Sequence, residues 1–132
     1  MVSVSSDKTK LDVPFIQHFL KDVYWAAGRT LEEVQRTIDA SVCFGIYLDE
    51  EQIGFCRVIT DYVVFAYVMD VFIVEKHRGQ GYSSILIEAM MSAPELQEVK
   101  IWRLATSDAH FLYKKFGFTA LAHPEKMMEK VI

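Results

Sequence analysis

Between Val63 and Ala105 the chain passes from an apolar run through a basic, glycine-broken turn into an amphipathic run, and then into a second apolar run. No other feature constrains the fold as much. VVFAYVMDVFIV (63–74) reads as a strand. RGQGYSSILIEAMMSA (78–93) puts Ile85, Leu86, Ala89 and Met90 on one helical face, and Pro94 ends it. VKIWRLA (99–105) reads as a strand again. Such a unit is expected to return as a right-handed parallel crossover, which requires a sheet with a helix packed on it.

The rest of the chain extends that unit. VPFIQHFLKDVYW (13–25) has apolar residues at helical spacing with Pro14 suited to a first turn. TLEEVQRTIDA (30–40) opens with a capping box, Thr30 followed three residues later by Glu33. VCFGIYL (42–48) and QIGFCRVIT (52–60) flank Asp49-Glu50-Glu51 as a hairpin. SDAHFLYKKFG (107–117) reads as a short helix with a glycine stop, and FTALAH (118–123) and KMMEKVI (126–132) as closing strands. The expectation is α/β (α+β): one domain, residues 1–132, with a mixed, mostly antiparallel sheet and helices on both faces. With 132 residues, 52% of them hydrophobic, the chain can bury a core. No apolar run reaches the roughly 18 residues of a membrane span, and the N-terminus has no secretory h-region. Cys43 and Cys56 lie in apolar runs and read as free buried thiols of a reducing, cytoplasmic compartment. No metal-ligand spacing occurs, so no metal is expected. A net charge of −4 argues against nucleic acid as a partner.

Against that acidic balance, Lys76, His77 and Arg78 precede Gly79 and Gly81 at the entry of a helix. A helix N-terminus offers unpaired N–H groups and the positive end of the dipole, and glycines let an anion approach them. The matching ligand is a phosphate or pyrophosphate. GxxxxGKS and GxxxxGKT are absent, and GQGYSS has serine at the third position of a GxGxxG fingerprint, behind strands that look like hairpin partners. A nucleotide P-loop and a dinucleotide fold are therefore disfavoured. A plain strand-to-helix turn, with glycine serving geometry alone, stays open.

Two motifs narrow the reading. Lys76-His77-Arg78-Gly79-Gln80-Gly81 resembles motif A of the GNAT superfamily of N-acetyltransferases, Q/R-x-x-G-x-G/A, with lysine at the first position. Ala109-His110-Phe111-Leu112-Tyr113-Lys114-Lys115-Phe116-Gly117-Phe118 resembles motif B, A-x-x-x-Y-x-x-x-G-F, with Thr106 in place of an asparagine often found seven before the tyrosine. The resemblance covers nearly the whole chain. It implies the GNAT fold and acetyl-CoA as co-substrate. Pyrophosphate would lie on the backbone of Arg78, Gly79, Gln80, Gly81, Tyr82, Ser83 and Ser84, and pantetheine along Phe72, Ile73 and Val74 as an added strand. It also implies a bulge near Asp70–Phe72 that frees an N–H to polarise the thioester carbonyl.

Transfer to an amine requires an acid for the leaving sulfur and a base for the ammonium. Tyr113 matches the family tyrosine that points at that sulfur, with a core aromatic as the alternative and His110 a weaker candidate. Asp70, inside an apolar strand, and Asp61, at the rim, are the candidate bases. A structural carboxylate is the alternative for each. The resemblance places the acceptor near Tyr24, Trp25 and Arg29, where the first helix ends; Arg57 is the one cation in the apolar run 52–60, and Arg57 or Arg29 could hold an acidic group on the acceptor, while Trp25 could be core and Arg57 solvated. The reading is an N-acetyltransferase acting on a small primary amine, as monomer or homodimer, with no nucleic-acid or membrane partner. The alternative is an acyl-CoA-binding module that has lost catalysis.

Overall fold

The computed structural model describes residues 1–23 and 27–132. Its sheet has five strands in the order of the chain: β1 (Val2–Ser5), β2 (Val42–Leu48), β3 (Glu51–Thr60), β4 (Phe65–Ile73) and β5 (Ile101–Arg103). Neighbours are antiparallel except β4 and β5, which are parallel. Helix α3 (Tyr82–Met91) makes the crossover between those two, as the glycine-broken pattern predicts.

Helices cover both faces. Helices α1 (Val13–Leu20) and α2 (Leu31–Asp39) bury Ile16, Leu20, Val34 and Ile38 against Cys43, Phe55 and Phe72. On the other face, Leu86, Ile87 and Met90 of α3, with Leu112 and Tyr113 of α4 (His110–Lys114), pack on Phe44, Ile46, Cys56 and Val58. Because β2 and β3 are buried on both sides, they read as continuous apolar runs instead of alternating ones. The capping box is present: the Glu33 N–H donates to Thr30 Oγ1 (3.1 Å) and the Thr30 N–H to Glu33 Oε1 (2.9 Å). The Thr30 N–H, and after it the Thr30 hydroxyl, hold the exposed Glu33 carboxyl below its usual range.

Three expectations are corrected, and one strand is added. The first helix stops at Leu20, short of Trp25, and the last is five residues long. Val2–Ser5, assigned no element from the sequence, is a strand, and its pairing with Gly45–Leu48 decides its state. FTALAH and KMMEKVI form no strand among the described residues, and β5 has only β4 as partner. Apolar runs of six or seven residues are ambiguous without a neighbouring strand, and Pro124 lies between these two.

Candidate active site

β4 and β5 pair only at Phe65–Ile101, Ala66–Trp102 and Tyr67–Arg103, then separate. A cleft of about 900 Å³ opens between them. One wall is β4 from Tyr67 to Ile73; the other is the chain from Leu104 to Ala109 with Phe111, Leu112 and Tyr113. Arg78 and Ser83 line one end, and Phe19 and Val23 also contribute. A second hollow of about 320 Å³ beside Met91, Trp102 and Phe118 contains none of the expected site residues.

The glycine turn is a bare-backbone site. Gly79 (φ 77°) and Gly81 (φ 82°) are left-handed, the region where glycine avoids a Cβ penalty. Gly81 is the N-cap of α3, and no side chain caps that end. Among the described residues, no N–H from Gly79 to Ser84 donates to a protein acceptor; Ile85 N–H, bonded to the Gly81 carbonyl at 3.3 Å, is the first to do so. A Cβ built at either glycine meets nothing within 4 Å, so the space in front of the turn is open. These groups fit a pyrophosphate. Arg78 is exposed and anchored, its Nε donating to the Ile73 carbonyl at 2.9 Å. Lys76 lies 3.9 Å from Glu51 in an exposed pair.

Along β4 the availability of the backbone is uneven. The Val74 N–H is committed to the Ile53 carbonyl (2.9 Å), and Val74 does not line the cleft. Phe72 and Ile73 do line it. The Phe72 ring stacks on Phe19 at 3.9 Å, which fixes that stretch of strand against α1.

The bulge lies where the resemblance implies. Register runs Phe55↔Phe72 and then Arg57↔Met69, so Cys56 alone opposes Asp70 and Val71. Asp70 has φ 56°, a left-handed conformation that costs a non-glycine residue about 1–2 kcal/mol. Its carboxylate is 1% exposed, and Oδ2 accepts from Arg57 Nε (2.6 Å) and Arg29 Nη1 (2.7 Å). Oδ1 is buried with no partner among the described residues. Arg57 is further held by Ser41 Oγ (3.1 Å) and lies near Met69 Sδ (3.5 Å). Arg57 is thus neither solvated nor offered to an acceptor, and Arg29 is bound to the same oxygen. Both depart from their expected place because a buried carboxylate in β4 claims them, a demand that sequence spacing does not reveal. Tyr24 and Trp25 lie outside the described residues.

Asp61 sits in the turn before β4 and does not line the cleft. Its Oδ1 accepts from the N–H groups of Val63 (3.0 Å), Val64 (2.8 Å) and Phe65 (3.1 Å), which hold its carboxyl below the usual range. The turn-carboxylate alternative describes it. Tyr113 is 6% exposed, packs edge-on against Phe118 at 5.8 Å, and makes no hydrogen bond through its hydroxyl among the described residues. Burial pushes the phenol up to about 12. His110 is exposed and outside the lining. The lining also contains Thr106, Asp108 and Phe111, which sequence reasoning did not assign to the site; their one signal was position just before or within the tyrosine motif.

The family profile described as "Acetyltransferase (GNAT) domain" matches residues 39–120. The chain belongs to the GNAT family of acetyltransferases. A candidate acetyltransferase of Gibberella zeae is 32% identical over 138 residues, covering 86% of this chain and 77% of that protein. The crystal structure of a candidate GNAT-family acetyltransferase from Xanthomonas campestris pv. campestris superposes with a TM-score of 0.95 at 47% identity, over 100% of this chain and 94% of that one. A Clostridium acetobutylicum structure described as an acetyltransferase with acetyl-CoA shares the fold at 14% identity (TM-score 0.73, 99% and 96% coverage). Among the described residues of this GNAT chain, no helix is long and apolar enough to cross a membrane, and no group of three or more His, Cys, Asp or Glu side chains is placed to hold a metal.

Proposed function

We infer that this single-domain protein transfers the acetyl group of acetyl-CoA to a primary amine of a small acceptor by direct attack, in the cytoplasm. The observation that carries this reading is the run of unpaired N–H groups from Gly79 to Ser84 at one end of a cleft that has Tyr113 on its wall. The turn would hold the pyrophosphate, with Arg78 adding charge. The β4 edge at Phe72 and Ile73 would hold pantetheine through backbone groups. The backbone of Asp70–Val71 would donate toward the thioester carbonyl, and a donor aimed at developing charge there is worth about 3–4 kcal/mol.

With its phenol pushed up to about 12, Tyr113 stays protonated across ordinary pH and serves as a hydrogen-bond donor to the leaving sulfur. A phenol so raised is a weaker acid than an ordinary thiol, so full transfer of its proton to the leaving thiolate would be uphill. Its contribution is therefore stabilisation of the thiolate more than delivery of a proton. Asp70 Oδ1 is unpartnered but buried, so Asp70 would take the proton of the incoming amine through a water at the cleft wall and not by direct contact. Asp61 is too committed to its own turn to share that role.

The runner-up is a module that binds an acyl-CoA without turnover. Thiol release from acetyl-CoA over a panel of amines, with calorimetric titration of CoA, separates the two. CoA binding with amine-dependent thiol release supports the enzyme. Binding without release from any amine supports the module, and no binding removes both.

A further inference from the structure

We propose that Arg29 and Arg57 are positioning residues that hold the β4 bulge through Asp70, and so set the backbone geometry at the thioester from outside the cleft. The inference rests on the acetyl-transfer reading of the site. Three observations carry it. Asp70 is a non-glycine residue held at φ 56° inside a strand, a conformation that costs it energy even though Asp tolerates it better than most side chains. Its Oδ2 takes short hydrogen bonds from two guanidinium groups that come from different parts of the chain: Arg57 on the adjacent strand β3, and Arg29 just before α2. The bulge residues Asp70 and Val71 themselves line the cleft, whereas Arg29 and Arg57 do not.

Two cations and one carboxylate in a largely buried cluster leave a net positive charge with a heavy desolvation cost, so the cluster is a poor source of stability for its own sake. What it provides is over-determination of one backbone conformation. Arg57 is fixed by Ser41 on its far side and by its pairing opposite Met69, so it presents Nε to Asp70 from a rigid strand. Arg29 ties the segment entering α2 to the same oxygen. That segment and the bulge are therefore joined through one carboxylate. A shift of that segment would be felt as a change in the direction of the bulge N–H groups.

The test reads the backbone directly and needs no acceptor. Isotope-edited infrared spectra of acetyl-CoA carrying a ¹³C carbonyl are compared free, bound to the wild-type protein, and bound to Arg29→Ala, Arg29→Lys and Ser41→Ala, alongside calorimetry with CoA and urea unfolding. In the wild type the bound carbonyl band moves to lower wavenumber. In Arg29→Ala it moves back toward the free position while CoA affinity is kept, and Arg29→Lys recovers part of the shift. With an active acceptor, Arg29→Ala lowers kcat by about 10- to 100-fold at nearly constant KM for acetyl-CoA. If Arg29→Ala does not fold, Ser41→Ala, which removes one anchor of Arg57, carries the same comparison. A bound band identical in wild type and folded variants overturns the positioning role and leaves the acetyl-transfer reading intact. A wild-type protein that binds CoA but shows no band shift overturns it too. Absence of acetyl-CoA binding by the wild type overturns that reading and this proposal with it.

Discussion

The two ends of the cleft are built on opposite plans. At the glycine turn, six consecutive residues supply bare N–H groups, and no contact distant in sequence is needed to make them available. At the bulge, one strained residue is held by side chains 13 and 41 positions away. The first site works because groups are left unsatisfied; the second because one oxygen is satisfied twice. A local device is robust to changes elsewhere in the fold. A long-range clamp is sensitive to them, and it lets distant segments influence the site.

The largest effect is expected where the clamp is broken from its rigid side. Arg57→Ala leaves the Asp70 carboxylate buried with Arg29 alone and should cost about 3–5 kcal/mol of stability, read as a lower urea midpoint at unchanged slope. Arg29, whose side chain is 19% exposed, should cost clearly less on the same substitution. Equal losses would mean that the two cations are interchangeable and that β3 has no special part.

Next in size is Tyr113→Phe, which probes the wall between the two ends. The ring and its contact with Phe118 stay, so CoA affinity should hold while turnover falls by about 10²-fold. Its pH signature follows from a folded-state value of about 12 against the ordinary 10. Between these values the folded protein holds a proton that the unfolded chain has lost, so stability falls as pH rises from 10 toward 12. The phenol's share of that loss, about 2–3 kcal/mol, should disappear in the phenylalanine variant. The alkaline loss contributed by Cys43, whose buried thiol is pushed up to about 11, should remain. Urea titrations at pH 8 and pH 11 capture about half of that loss, roughly 1.4 kcal/mol, and wild-type turnover in the variant would return Tyr113 to the core.

At the glycine turn, Gly81→Ala and Gly81→Asn separate strain from obstruction. Alanine at φ 82° should cost about 1–2 kcal/mol, whereas asparagine tolerates that conformation with less strain. Both place a side chain in the open space before the N–H groups, so both should lose CoA affinity by calorimetry. If asparagine binds CoA as tightly as glycine, that space is not the phosphate site.

Arg78→Ala should have the smallest effect. Its exposed charge should contribute under about 1 kcal/mol to CoA binding, and more at low salt than at high salt because screening acts on exposed charges. Equal losses at both salts would assign its part to the Ile73 carbonyl it braces.

By itself the sequence determined the pieces whose information is local. The capping box of Thr30 and Glu33, the β2–β3 hairpin, the strand–glycine–helix crossover and the tyrosine of α4 are all written within a few residues. The physical reason is that caps, turns and periodicity act over one or two turns of chain. Only the tertiary structure decided the rest. It made Val2–Ser5 a strand by giving it β2, withheld a partner from the runs after β5, and turned Arg29 and Arg57 from expected acceptor ligands into the holders of Asp70. A short strand exists only where an edge is free, and a guanidinium goes to the carboxylate that burial brings within reach. Neither condition can be read until the chain has folded.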